Sequence, residues 1–122
     1  GVEIATGLRP TQIVREVLRE TGRDDPDAPA RALGALSGPT IATELSRCMP
    51  ATMIAASDDA DLARATQALF STSWMRIYTH TDLVGVELAG ATKNVIAIAA
   101  GVIDGLRAGN NAKSALLARG LA

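Results

Sequence analysis

Gly85-Val86-Glu87-Leu88-Ala89-Gly90-Ala91-Thr92-Lys93-Asn94-Val95-Ile96-Ala97-Ile98-Ala99-Ala100-Gly101 is the stretch whose reading decides the fold. Nothing in it breaks a helix, and apolar residues continue at helical spacing towards Asp104. Asp82 is the expected N-cap, and Gly105 and Gly109 are the expected stops. Such a helix is about 25 residues long, on the order of 37 Å. One face reads Val86, Gly90, Lys93, Ala97, Gly101, Asp104, a row of small residues with one ammonium in its middle. Small residues let a backbone or a ligand approach closely. The same letters also describe a buried helix whose one lysine extends its stem to water. On geometry alone both readings stand.

The residues before this helix are organised differently. Pro10-Thr11 opens a helix with Ile13, Val14, Val17 and Leu18 on one side and Arg15, Glu16, Arg19 and Glu20 on the other, ended by Gly22. Residues 1–7 read as the exit from a strand, and Arg23 to Arg31 as a charged, solvated and mobile loop. Two similar units follow. Leu33 to Ser37 is an apolar run turned by Gly38-Pro39 into a helix from Thr40 to about Cys48. Ala51 to Ala56 is a second run, followed by a helix from Asp58 to Phe70. Trp74 to Thr79 alternates as a third strand, and only helix is expected after His80, with a turn at Gly109-Asn110-Asn111 and a last helix from Ala112 to Leu121. Strand–helix alternation giving way to helix alone marks an α/β region followed by an all-α one, with a boundary near Thr79 to Asp82.

Composition narrows the class. Hydrophobic residues at 48% suffice for a core, and charged residues at 20% are too few for a disordered tail. Aromatics at 2% leave core filling to Leu, Ile, Val and Ala. A net charge of −1 without a basic run argues against nucleic acid or an anionic membrane surface as partner. The longest apolar run, Val95 to Ile103, is too short for a bilayer span, and a single cysteine excludes an internal disulfide. The expectation is a soluble, cytoplasmic protein. With no initiator Met and an end inside a helix, the chain reads as an excerpt of a longer one.

Ser37-Gly38-Pro39-Thr40-Ile41-Ala42 is the second stretch of interest. A glycine between a strand and a helix start aims free backbone N–H groups at one spot, where the helix dipole favours an anion. A plain strand-to-helix turn has the same letters. No G-x-G-x-x-G follows any strand, so the usual dinucleotide fingerprint is absent from these residues. His80 stands alone, so no metal site is expected; Cys48 reads as a small core residue, and Lys113 and Arg119 as a solvated face of the last helix.

Taken together, residues 36–44 (LSGPTIATE), 84–101 (VGVELAGATKNVIAIAAG) and 111–122 (NAKSALLARGLA) closely resemble NAD(P)-dependent glycerol-3-phosphate dehydrogenase of the bacterial type. Gly1-Val2-Glu3 is similar to the piece just after that family's Lys-Gly step. The resemblance implies the C-terminal part of a Rossmann-like NAD(P)-binding domain over residues 1–80, running into the start of an all-helical substrate domain over 81–122. It implies NAD or NADP as cofactor, and interconversion of glycerol 3-phosphate and dihydroxyacetone phosphate for phospholipid synthesis. Lys93 is similar to the family's catalytic acid/base lysine, which also touches substrate. Gly38, Thr40 and Asn94 match substrate-contacting positions, and Ala42 one beside the nicotinamide nucleotide. A homodimer is compatible with it. The glycine fingerprint, a substrate-contacting lysine upstream and further substrate contacts downstream are not among these residues, so the excerpt alone is expected to be inactive.

Two other readings remain at this point. A 3-hydroxyacid or 6-phosphogluconate type of dehydrogenase resembles the same layout, but typically places Asn four residues after the lysine, where this chain has Ala97. A non-catalytic assembly domain on the same scaffold would use the small-residue face as a helix–helix interface.

Overall fold

The computed structural model describes residues 1–25 and 27–120. Pro26, in the expected loop, and Leu121, in the expected last helix, lie outside the described residues. The chain divides into two compact units, Gly1–Gly90 and Ala91–Ala122.

The first unit begins with a turn, not a strand exit. Gly7 takes a φ of +72°, its N–H reaches Glu3 O at 2.9 Å, and the Glu3 N–H reaches Leu8 O at 3.0 Å. Helix α1 (Pro10–Glu20) follows with proline in its first turn, and Gly22 leaves it at φ +64°. The loop after it is tied down. The Asp24 carboxylate sits 3.8 Å from both Arg15 and Arg31, and Arg31 donates to Arg23 O at 3.1 Å.

The sheet has three strands in the order β1 (Gly34–Ser37), β2 (Ala51–Ser57) and β3 (Met75–His80). β2 and β3 run parallel, with Ala51 opposite Met75 and Ala56 opposite His80, joined through helix α3 (Ala60–Phe70). That is the connection a parallel pair requires. β1 and β2 are antiparallel, with Gly34 opposite Ser57 and Ser37 opposite Ile54. The two expected strand–helix units are therefore not equivalent.

The expected helix from Thr40 to Cys48 shrinks to α2 (Ala42–Leu45). Pro39 does not open it: the Thr40 N–H turns back to Gly38 O at 3.1 Å, and Ile41 is still extended at φ −114°, ψ 124°. Beyond it Cys48 takes φ +54° and is exposed, so it is not the core residue its position in a longer helix implied. The connection between β1 and β2 holds only this one-turn helix, in place of the full helix that usually carries a parallel crossover, and the two strands pair antiparallel.

The α3 end of the unit is built as its letters require. Asp59 Oδ1 accepts from the Asp61 and Leu62 N–H groups at 2.8 and 3.1 Å, an N-cap with acidic first-turn company. Ser57 Oγ donates to Leu33 O at 2.7 Å and accepts from the Asp59 N–H, pinning the end of β2. The Gln67 side-chain amide donates to Ile77 O at 2.7 Å, fastening α3 to β3. Among the described residues the buried hydrophobic ones are Ala55, Ala56, Ala63, Ile77 and Leu83, a core without aromatic side chains as the composition implies.

The long helix is α4 (Leu83–Gly105). Asp82 caps it, accepting the Gly85 N–H at 2.7 Å, and the Asp82 N–H donates to His80 Nδ1 at 3.0 Å. Its end differs from expectation. Gly105 is still helical, and the left-handed residue is Arg107 at φ +52°. The Ala108 N–H reaches Ile103 O and the Arg107 N–H reaches Asp104 O, the paired bonds of a Schellman stop. Gly109 at φ +87° then leads directly into α5 (Asn110–Gly120), so Asn110 opens that helix.

In the second unit α5 folds back on the later turns of α4. Lys113 Nζ lies 2.6 Å from Asp104 Oδ2, and a Cβ on Gly120 would stand 3.2 Å from Ile96 Cδ1. Lys113 is thus an ion-pair partner between helices. By length and composition α4 could cross a bilayer, with a mean hydropathy of 1.5 over its most apolar window.

Candidate functional site

Gly38, Thr40 and Ala42 all lie in the first unit, on the path from β1 through the turn into α2. Gly38 and Thr40 are partly covered, and Ala42 is exposed. The reason for glycine at 38 is visible. A Cβ there would stand 2.7 Å from Thr52 O and 3.0 Å from Met53 Cα, both on β2. The missing side chain is what lets the turn lie against the neighbouring strand's backbone. We expect Gly38→Ala to destabilise the chain by about 1–3 kcal/mol, the usual range for forcing extra volume into a packed site. A shift in the urea midpoint checks it, and an unchanged midpoint would place that backbone elsewhere.

The turn also meets α4. A Cβ on Gly90 would stand 3.4 Å from Ser37 Oγ, so a glycine of the small-residue face lies against the last residue of β1. Lys93 and Asn94 follow Gly90 in the same helix and belong to the second unit, where both are exposed.

Three groups escaped the reading of the sequence. Glu87 is buried, with its side chain 2% exposed, while α4 is otherwise almost free of ionisable residues. Its Oε1 accepts the Thr11 N–H at 2.8 Å, and its Oε2 accepts the Thr11 hydroxyl at 2.8 Å. The Arg9 guanidinium pairs with the same Oε2. Thr11 N–H is one of the unpartnered donors at the start of α1, so a carboxylate there satisfies it and complements the helix dipole. The available signal was a carboxylate among apolar and small residues early in the helix, which a buried position tolerates only with partners. Arg9, immediately before Pro10, carried no signal of its own.

A dinucleotide needs backbone N–H groups around an open space for its pyrophosphate. At the turn after β1 the Thr40 N–H is turned to Gly38 O at 3.1 Å. Helix α2, with four residues, has too little dipole to replace it. The residues present do not form that cradle. Nor does any cluster of three His, Cys, Asp or Glu side chains suited to a metal occur among the described residues.

The chain is similar to known proteins along its whole length. Residues 82–122 match the family model described as NAD-dependent glycerol-3-phosphate dehydrogenase C-terminus. Over all 122 residues the chain is 52% identical to a glycerol-3-phosphate dehydrogenase [NAD(P)+] of Koribacter versatilis and 48% identical to one of Geobacter sulfurreducens. In each case it spans 34% of the relative's length. Among solved structures, glycerol-3-phosphate dehydrogenase from Coxiella burnetii superposes with a TM-score of 0.67 at 38% identity, over 74% of this chain and 28% of that one. The Plasmodium falciparum enzyme gives 0.64 at 33% identity, over 67% of this chain and 23% of its own. Along its whole length the chain is therefore similar to about a third of the length of the bacterial glycerol-3-phosphate dehydrogenases [NAD(P)+], and its residues 82–122 to that family's C-terminal part.

Proposed function

We propose that these residues form part of an NAD(P)-dependent enzyme that interconverts sn-glycerol 3-phosphate and dihydroxyacetone phosphate, supplying glycerol 3-phosphate for phospholipid synthesis in the cytoplasm. The observation that carries this is unbroken identity of 43–52% to dehydrogenases of that name along the whole chain. In this reading residues 1–80 close a Rossmann-like domain, and residues 81–122 open a helical substrate domain. Among the described residues the last strand ends at His80, which supports that division. We read α4 as a core helix of this assembly, since Glu87 and Lys93 are both costly in hydrocarbon.

The cofactor supplies the hydride. What this chain supplies is the proton. When the ketone carbon is reduced, its oxygen develops negative charge, and the Lys93 ammonium stabilises that charge and then donates a proton to it. In the reverse direction a neutral Lys93 accepts the proton of the secondary hydroxyl. Arginine in its place would hold charge but could not exchange the proton. Gly38, Thr40 and Asn94 orient the substrate, and Ala42, with its short side chain, leaves room beside the nicotinamide.

The test is a comparison of substrates with the full-length protein. Glycerol 3-phosphate should turn over with NAD+ or NADP+, while 3-hydroxy acids and 6-phosphogluconate should not. Turnover of a 3-hydroxy acid without turnover of glycerol 3-phosphate would overturn the reading.

A further inference from the structure

We infer that Glu87 is a positioning residue for Lys93, holding the lysine helix in rotation and along its axis. This rests on the function proposed above, and nothing in that mechanism uses Glu87. Three acceptor interactions of one buried carboxylate all end in the first turn of α1: the Thr11 N–H, the Thr11 hydroxyl and the Arg9 guanidinium. Close by on α4, Gly90 lies against Ser37 and Leu83 is buried. Apolar contacts of that kind are non-directional and let a helix slide or turn. Hydrogen bonds to a charged group are short and directional, and do not. The carboxylate is therefore the part of the contact that sets the angle of the helix.

Lys93 lies six residues further along the same helix, about 9 Å of rise and about 240° around the axis. Glu87 thus points away from the lysine and acts through the helix itself. A lysine nitrogen reaches well beyond the helix radius, so a rotation of roughly 15° about the axis carries it about 2 Å. A displacement near 1 Å can cost about a hundredfold in rate.

Glu87→Gln in the full-length enzyme keeps the size of the side chain and removes its charge. We expect kcat to fall roughly tenfold, with KM for glycerol 3-phosphate within about twofold, at a temperature where circular dichroism shows the variant folded. Arg9→Met removes the other end of the same link and should give the same split. The double variant should be no worse than either single one, because both break one connection. A purely structural role would lower the melting temperature without that split in the folded enzyme. Should Glu87→Gln not fold, Arg9→Met decides alone, since it alters a partly exposed side chain. If Lys93→Ala abolishes turnover while Glu87→Gln and Arg9→Met keep kcat within twofold, the positioning role is wrong and the dehydrogenase reading survives. If Lys93→Ala leaves turnover intact, both fail.

Discussion

Lys93→Ala in the full-length enzyme is expected to lose about a thousandfold or more in kcat while folding as the parent does. A positioned acid or base contributes about 10²–10⁴-fold, and stabilising a developing oxyanion contributes a further factor of similar size. The two are not independent here, since one ammonium does both, so the expected loss lies within the range of a single effect and not at the product of two. Stability should hold because Lys93 is exposed on a helix and alanine is the better helix former. Lys93→Arg separates the two roles. It keeps a cation beside the substrate and removes the exchangeable proton, so KM should stay close to the parent value while kcat remains low. Near-native turnover in either variant would remove Lys93 from the chemistry.

Ile77→Ala is the substitution expected to cost most in stability, about 3 kcal/mol. Ile77 is 2% exposed in the middle of β3, between the parallel strand β2 and helix α3, and its carbonyl holds the Gln67 amide. Three of the five covered hydrophobic residues are alanines, and Leu83 lies at the start of α4. Truncating so covered a side chain leaves a cavity in a core of small residues, which puts the cost well inside the usual range of about 2–5 kcal/mol. With a urea slope of about 2 kcal/mol per molar, the unfolding midpoint should drop by more than 1 M. A shift below about 0.3 M would mean that β3 is not packed as described. Ile77→Val, which removes one methyl group, should cost about 1 kcal/mol and lower the midpoint by about 0.5 M.

Elements with a strong local signal were legible before any coordinates. The Pro10 start and Gly22 exit of α1 and the Asp82 cap of α4 are each set by a side chain or a φ preference within a few residues. The residues between β1 and β2 misled, because Pro39 and Thr40 suit a helix start as well as a turn. The choice between them was made by β2, whose backbone occupies the space beside Gly38. The stop of α4 misled for a related reason. Glycine is the usual left-handed residue, but Arg107 takes that conformation two positions later, where the bonds to Ile103 and Asp104 close the helix.

By itself the sequence determined the periodic elements, their caps, the scarcity of bulky core residues and, through its extended identity, the likeness to named dehydrogenases. Each depends on interactions within a turn or two, or on letters compared one by one. Only the tertiary structure decided that β1 runs against β2, that Cys48 faces solvent and that Glu87 is buried with Arg9 and Thr11. Strand direction depends on where the chain can travel between two strands, and burial of a charge depends on partners more than 70 positions away. Neither property is stored in the neighbourhood of the residue that shows it. Both arise when distant segments compete for the same space, and the backbone groups that find hydrogen bonds there select the outcome.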